Sequence, residues 1–227
     1  MRKVALFAAV AAMNFVAAAI AADAPAIEHT DDWRAAVHRF AEANLQHPAW
    51  GLSHSMRDYE LAKELAAADG VTLDDDVLYA AAYLHDVAAF APWRKSGVDH
   101  QDEAARIVES LLAGTGFPMA KIEAVRGAIR THMYGRDPAG PEAIYIHDAD
   151  ALDWLGAIGV ARVFGLVDPK GGSPDGPSAV KNLEHSLTSV PPRIVSKAGK
   201  ALATQRVREL EQFLKELRAE SSDLKSL

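Results

Sequence analysis

Apolar residues recur at intervals of three and four along most of this sequence, which is the spacing of one face of an α-helix. Ile122, Val125 and Ile129 form one such stripe. Gly70 and Gly114 follow two other periodic segments, where glycine is typical of a helix end. We find no run of alternating apolar and polar residues that would predict a half-buried strand. The sequence therefore predicts an all-α fold, with one domain spanning residues 28–220.

The first 22 residues differ in character from this domain. Arg2 and Lys3 precede the uncharged run VALFAAVAAMNFVAAAIA, whose last three residues form a small-x-small cleavage signal. This order is typical of a secretory signal peptide. An uncleaved membrane anchor is the alternative, but the run is rich in alanine rather than leucine or isoleucine. We therefore predict a signal peptide at residues 1–22, export to the periplasm and no membrane attachment after cleavage.

Composition excludes disulfide bonds and thiol catalysis, and it argues against nucleic-acid binding. The chain has no cysteine, which excludes a disulfide framework and a thiol nucleophile. Its formal net charge is −7, and no basic tract stands out. A nucleic-acid polymer is therefore not an expected partner. The oligomeric state cannot be read from these features.

The apolar segment AAYLHDVAAF, residues 81–90, contains a histidine and an aspartate side by side. Burying polar side chains without partners is costly. His85 and Asp86 must therefore either bond to each other and to the backbone, or bind something together.

Further histidines and an aspartate fall in other predicted helices. His132 continues the stripe formed by Ile122, Val125 and Ile129, so it extends a buried face. One such histidine alone would favour a core residue bonded to a carbonyl oxygen. Several, each in its own apolar helix, favour a shared metal ion, and imidazole with carboxylate suits Mn, Fe, Zn, Co or Ni. The candidates, besides His85 and Asp86, are His54, His100, His132 and Asp150.

The segment PEAIYIHDADALDWLGAIGVARVFG, residues 141–165, is apolar on most sides and predicts one long central helix. Asp148 and Asp150 are two residues apart and face nearly opposite sides, so only one of them can enter a given site. His147 and Asp153 share a side with Asp150. The spacing alone does not decide which of these residues is a ligand.

The order of His54, the His85–Asp86 pair and Asp150 resembles the H…HD…D signature of the HD-domain metal-dependent phosphohydrolases. Two helices of that superfamily are similar to the segments HSMRDYELAKELA and YLHDVAAF. A bacterial single-domain branch is similar to two further segments, FPMAKIEAVRGAIRTHMYG and EAIYIHDADALDWLGAIGVARVFG. The resemblance implies a single helical HD-domain bundle with a metal site between the central helices. It also implies that Asp150, rather than Asp148, is the ligand.

The resemblance leaves the number of metal ions open. Some single-metal members carry an acidic residue a few positions after the HD pair, where this chain has Ala88, Ala89 and Phe90, so the general acid/base stays unassigned. His100 and His132 stand where two-metal members place additional histidines, which implies a second cation bridged by Asp86. The alternative is one ion, with His132 near the substrate. The cofactor is then one or two divalent ions per chain, of Mn, Fe, Zn, Co, Ni or Mg.

The resemblance implies a phosphohydrolase whose metal-activated water hydrolyses a phosphoester of a nucleotide or another small phosphorylated molecule. Asp86, His132 and Arg57 are the candidate catalytic residues, and Arg57 lies one helical turn beyond His54. Arg94 and Lys95 are more typical of surface cations. A di-iron oxygenase of the same superfamily is the alternative, and a non-catalytic metal-binding protein is a further one. The implied metal ligands are His54, His85, Asp86, His100, His132 and Asp150.

Overall fold

The computed structural model of the protein describes residues 24–227, so the predicted signal peptide at residues 1–22 lies outside the described part. Within that part the secondary structure is helical and contains no strand, which confirms the all-α prediction. No helix in residues 24–227 is both long enough and apolar enough to span a bilayer. The α-helices are α1 (Trp33–Asn44), α2 (Leu52–Asp69), α3 (Asp75–Leu84), α4 (His100–Leu112), α5 (Ile122–Thr131), α6 (Pro141–Leu152), α7 (Gly156–Phe164), α8 (Gly176–Ser189) and α9 (Lys197–Glu220).

Helices α2, α3, α5 and α6 form the centre of the bundle. Helix α6 packs against α2, α3 and α5, and α3 also packs against α2 and α5. Their contacts bury large aliphatic side chains completely, including Leu84, Ile129 and Leu152. Such residues supply the main driving force for folding, because apolar surface is removed from water. The candidate ligands lie on or beside these helices, so the core that stabilises the bundle also positions them.

The predicted central helix over residues 141–165 is in fact two helices. Helix α6 ends at Leu152, and α7 begins at Gly156, whose φ of +63° lies in the left-handed region. A Cβ atom at Gly156 would lie 2.9 Å from Glu209 Oε2, so a larger side chain would be both strained and crowded. This break redirects the chain, and it decides where Arg162 on α7 lies.

The last helix, α9, is attached to the bundle through carboxylate acceptors at its N-terminal end. Asp148 accepts hydrogen bonds from Val195 N at 3.0 Å and from Ser196 N at 2.7 Å. Asp69 accepts from Ala198 N at 3.0 Å. Carboxylates are favourable at a helix N-terminus, where free amides and the helix dipole both attract negative charge. The carboxylate of Asp148 therefore bonds to the backbone at the start of α9, on the side away from Asp150.

Candidate metal centre

The ligand candidates meet because they occupy the ends of helices that pack side by side. His85 and His132 directly follow the last residues of α3 and α5, and His100 is the first residue of α4. His54 lies in the first turn of α2. The side chains of His54, His85 and His132 are fully buried. All six predicted ligands come together in one cluster, made of these four histidines with Asp86 and Asp150.

Three of the imidazole rings are oriented by acceptors behind them. His85 Nδ1 lies 2.8 Å from Ala82 O, and His132 Nδ1 lies 2.7 Å from Ile129 O. His54 Nδ1 lies 2.9 Å from Asp153 Oδ2. Because these oxygens only accept, each Nδ1 donates its proton to one of them. The Nε2 atoms of the three rings therefore face the cluster, as metal-ligating histidines do.

Asp86 lies between two pairs of imidazoles. Its Oδ2 is 3.3 Å from His85 Nε2 and 3.8 Å from His54 Nε2. Its Oδ1 is 3.1 Å from His100 Nε2 and 3.5 Å from His132 Nε2. We call the side with His54 and His85 the inner position, and the side with His100 and His132 the outer position. The two oxygens of one carboxylate can thus serve both positions.

The donor spacing fits a cation at the inner position. His54 Nε2 is 3.3 Å from His85 Nε2 and 3.3 Å from Asp150 Oδ1. Donors bound to one ion at about 2.1 Å lie about 3.0–3.4 Å apart. Asp150 Oδ2 is buried and has no hydrogen-bond partner among the described residues. A buried acceptor without a partner is costly, and a cation would satisfy it.

The cluster favours positive charge electrostatically. Burial alone would raise the pKa of Asp86, but the imidazoles of His85, His100 and His132 outweigh it and hold that pKa well below its ordinary range. Burial lowers the pKa of His54, whereas the surrounding carboxylates, Asp58 first, raise it to about 10. The carboxylates thus attract a proton where no ion is bound, and a metal ion on Nε2 must displace that proton.

Asp58 is a member of the cluster that the sequence analysis missed. It is fully buried, and its Oδ2 lies 3.2 Å from His54 Nε2. His54, Asp58, His85 and Asp150 together form a group with the spacing of metal ligands. The four-residue spacing between His54 and Asp58 could have indicated this position, because residues i and i+4 lie on one face of a helix.

The predicted catalytic cation Arg57 lies behind His54 rather than beside Asp86. Its Nη2 lies 2.8 Å from Asp153 Oδ2, the same oxygen that accepts from His54 Nδ1. Arg57 therefore reaches the cluster only through Asp153. The two other cations considered in the sequence also have partners, since Lys95 pairs with Glu103 and Arg94 donates to Ala89 O.

The cation at the cluster is Arg162, which the sequence analysis did not single out. A cavity of about 200 Å³ opens on Asp86, His100 and Asp150, and Arg162 is the one arginine or lysine lining it in the described chain. A larger cavity of about 620 Å³, at the start of α9, is lined by none of the predicted ligands.

Several contacts hold the Arg162 guanidinium in place. Nε donates to Ala49 O at 2.6 Å, and the group stacks 4.0 Å from the Trp154 ring centroid. Nη1 lies 3.4 Å from Asp153 Oδ2, yet it makes no hydrogen bond with a described residue. A buried guanidinium with a free N–H beside a cation site is suited to binding an anion.

Asp148 and Asp150 differ in what their side chains contact. Asp148 accepts from His147 Nδ1 at 2.9 Å and from the amides that precede α9. Asp150 faces His54. His147 therefore belongs with Asp148 and not with the metal cluster.

We predict that Asp150→Asn changes metal binding and that Asp148→Asn changes stability. The first should abolish metal binding at the inner position, because an anionic ligand is lost. The second should leave metal content intact but lower the free energy of unfolding by about 1–3 kcal/mol, because buried donors lose a charged acceptor. Metal analysis and denaturant unfolding of both variants check this. Loss of metal from Asp148→Asn with metal retained by Asp150→Asn would reverse the assignment.

Comparison with known proteins agrees with the helical fold. The HD domain profile matches residues 51–155, which contain all six predicted ligands. A predicted HD superfamily hydrolase from an uncultured Thermotogales bacterium is 28% identical, with a TM-score of 0.57 over 81% of this chain and 88% of that one. Comparison with curated proteins gives no match.

Two Bacillus structures share the fold at lower identity. An HD-superfamily hydrolase from Bacillus thuringiensis is 23% identical, with a TM-score of 0.59 over 84% of this chain and 95% of that one. Bacillus subtilis YpgQ, in complex with ADP, is 20% identical, with a TM-score of 0.64 over 82% and 97% of the two chains. The described chain therefore has the helical bundle of HD-superfamily hydrolases, with a buried His/Asp cluster suited to metal.

Proposed function

From the HD-superfamily hydrolase fold and its His/Asp cluster, we propose that the protein is a metal-dependent phosphohydrolase. Its substrate is a phosphoester of a nucleotide or of another small phosphorylated molecule. One observation carries the proposal: the two oxygens of Asp86 face two pairs of imidazoles, beside a cavity that also contains the Arg162 guanidinium. The ADP bound to YpgQ supports a phosphorylated ligand.

A divalent ion at this cluster would polarise a phosphoryl oxygen and lower the pKa of water from about 16 to about 7, supplying a nucleophile at neutral pH. The chain's own residues hold and orient that ion. His54, His85 and Asp150 serve the inner position, His100 and His132 serve the outer position, and Asp86 serves both. Asp153 fixes the His54 ring through Nδ1, and the carbonyl oxygens behind His85 and His132 do the same for those rings.

Arg162 supplies the positive charge that a phosphoryl group needs in an acidic cluster. Its guanidinium lies near His54 Nε2, at 3.4 Å from Nη2, and is already held by Ala49 O and the Trp154 ring. A guanidinium held in this way needs little reorganisation to bind an anion. It therefore stabilises negative charge that develops on the phosphoryl oxygens during the reaction. We therefore assign Arg162, rather than Arg57, the role of contacting the phosphoryl oxygens.

The surrounding space suits a small substrate. The cavity of about 200 Å³ at Asp86 adjoins a second one of about 250 Å³, and Met133 and Trp154 line both. The second cavity has apolar walls that include Leu166, with His185 as a polar group. We place the phosphoryl group in the first cavity and the organic part of the substrate in the second.

The test is hydrolysis by protein of known metal content. Metal-free protein is reloaded with manganese, iron, zinc, cobalt, nickel or magnesium and is assayed on phosphomonoesters, cyclic nucleotides and nucleoside di- and triphosphates. We expect metal-dependent phosphate or pyrophosphate release from at least one group. Protein that binds its ions but leaves the whole panel intact contradicts the proposal.

A di-iron oxygenase is the second candidate, because four histidines with Asp86 and Asp150 also suit two iron ions. Iron as the native metal, with substrate-linked oxygen consumption, would establish it. A non-catalytic metal-binding protein is less consistent with a cavity that reaches Asp86 and a buried arginine.

We also propose that the protein acts after export, which follows from the predicted signal peptide. The mature chain would begin directly after the predicted signal peptide, bind a small phosphorylated molecule and have no membrane attachment. Protein sequencing of the periplasmic fraction tests this, and a first residue of Met1 would contradict it.

A further inference from the structure

We infer that Asp58 is a ligand of the inner ion, in addition to His54, His85, Asp86 and Asp150, and that it makes this position oxygen-rich. The inference rests on the metal centre of the proposed function but not on the reaction. Neither the predicted ligand set nor the resemblance contains this residue. Three carboxylates and two imidazoles would then surround one cation.

Burial is the first argument. Asp58 is fully buried, and neither of its carboxylate oxygens has a hydrogen-bond partner among the described residues. A buried carboxylate normally receives several hydrogen bonds or pairs with a cation, because desolvating an isolated charge is very costly. Asp148, which is equally buried, shows the ordinary solution, with two backbone amides and an imidazole around it. Asp58 has no equivalent set of donors.

Distance is the second argument. Asp58 Oδ2 lies 3.2 Å from His54 Nε2 and 3.9 Å from His85 Nε2, and these two nitrogens lie 3.3 Å from each other. The carboxylate is close to His54 but does not hydrogen-bond to it. Close approach without hydrogen-bond geometry is expected of two atoms that bind the same ion.

The helical geometry of α2 accounts for this short distance. Asp58 is the fourth residue after His54, so the two side chains lie one above the other on one face of the helix. Helix α2 packs against α6, which brings Asp150 to the same point. Three of the proposed ligands therefore depend on one helix pair, and their spacing is fixed by its packing.

The donor set predicts which metals this position prefers. Carboxylate oxygens suit manganese, and imidazoles suit iron and zinc, so a mixed set of three carboxylates and two imidazoles favours manganese or iron. Zinc prefers four ligands in tetrahedral geometry and gains less from a fifth. The outer position, with His100, His132 and one oxygen of Asp86, is richer in nitrogen. The two positions should therefore differ in metal preference.

Calorimetric titration of metal-free protein with Mn²⁺ and with Zn²⁺ tests this. Asp58→Asn keeps the size and hydrogen-bonding capacity of a neutral acid but removes the negative charge. We expect Mn²⁺ affinity at the inner position to fall by more than tenfold, since changes outside the ligand shell already cost about 10–100-fold. Zn²⁺ affinity should fall less. Glu64→Gln, an exposed charge removal on the same helix, should change neither affinity.

Asp58→Leu gives a second measurement. It removes the carboxylate that lies beside His54 Nε2, so the Mn²⁺-induced increase in melting temperature should shrink relative to wild type. Unchanged Mn²⁺ affinity in Asp58→Asn overturns the inference and makes Asp58 a neutral buried acid. Unfolding of both variants overturns it too, because the metal-free fold would then need the carboxyl group. A wild-type protein that binds no ion defeats the proposed function itself.

Discussion

Asp86→Asn should lower the turnover number by at least about 10³-fold, the effect of losing a major electrostatic contributor to a transition state. Among the described residues, Asp86 is the one whose two oxygens face both proposed metal positions. Asparagine has one carbonyl oxygen and an amide that donates, so one pair of imidazoles would meet N–H groups instead of an acceptor. The outer ion should be lost, because little but His100 and His132 would remain to hold it.

Metal analysis with steady-state kinetics checks this prediction. We expect at most one ion per chain, held by the ligands of the inner position. Asp31→Asn, which removes an exposed carboxylate before α1, is the matched control and should retain wild-type metal content and activity. Two ions and a wild-type turnover number in Asp86→Asn would contradict the bridging position of this residue.

Arg162→Gln should lower kcat/KM for phosphoesters by about 10²–10³-fold while leaving the metal content unchanged. The guanidinium lines the cavity beside Asp86 but is not itself a ligand. Arg162→Lys should recover only part of the loss, because an ammonium group cannot reproduce both the contact with Ala49 O and the stacking on Trp154.

Comparison with Arg57→Gln separates the two arginines. Arg57 contacts Asp153, which orients His54, so its loss should weaken metal affinity by about 10–100-fold and leave the KM of metal-saturated enzyme nearly unchanged. If Arg57→Gln instead raises KM for phosphoesters, and Arg162→Gln is silent, then Arg57 is the residue that binds the substrate.

Much of the metal cluster could be located from the sequence because each ligand follows from a local rule. The stripe that contains Ile129 places His132 on a buried face, and the apolar surroundings of His85 and Asp86 imply a buried pair. Only the resemblance selected Asp150 over Asp148, since spacing shows that the two differ in direction but not which of them faces His54.

Asp58 and Arg162 could not be found in the same way, for different physical reasons. A single aspartate in an amphipathic helix is usually exposed, so the i, i+4 relation of Asp58 to His54 is recognised only once α2 is seen to bury that face. Arg162 depends on the turn at Gly156. Apolar residues on both sides of this glycine favour a continuous helix, and only the packing of Glu209 and Arg206 against it shows why the chain turns there.

The attachment of α9 has a consequence for anyone who shortens or transplants this domain. A fragment ending at residue 155, where the HD domain profile ends, would retain all six predicted ligands. It would lose Arg162, and it would leave the buried Asp148 without the amides of Val195 and Ser196. A fragment that keeps these contacts must therefore extend into α9, so the part of the chain that supports the His/Asp cluster is considerably longer than its recognisable signature.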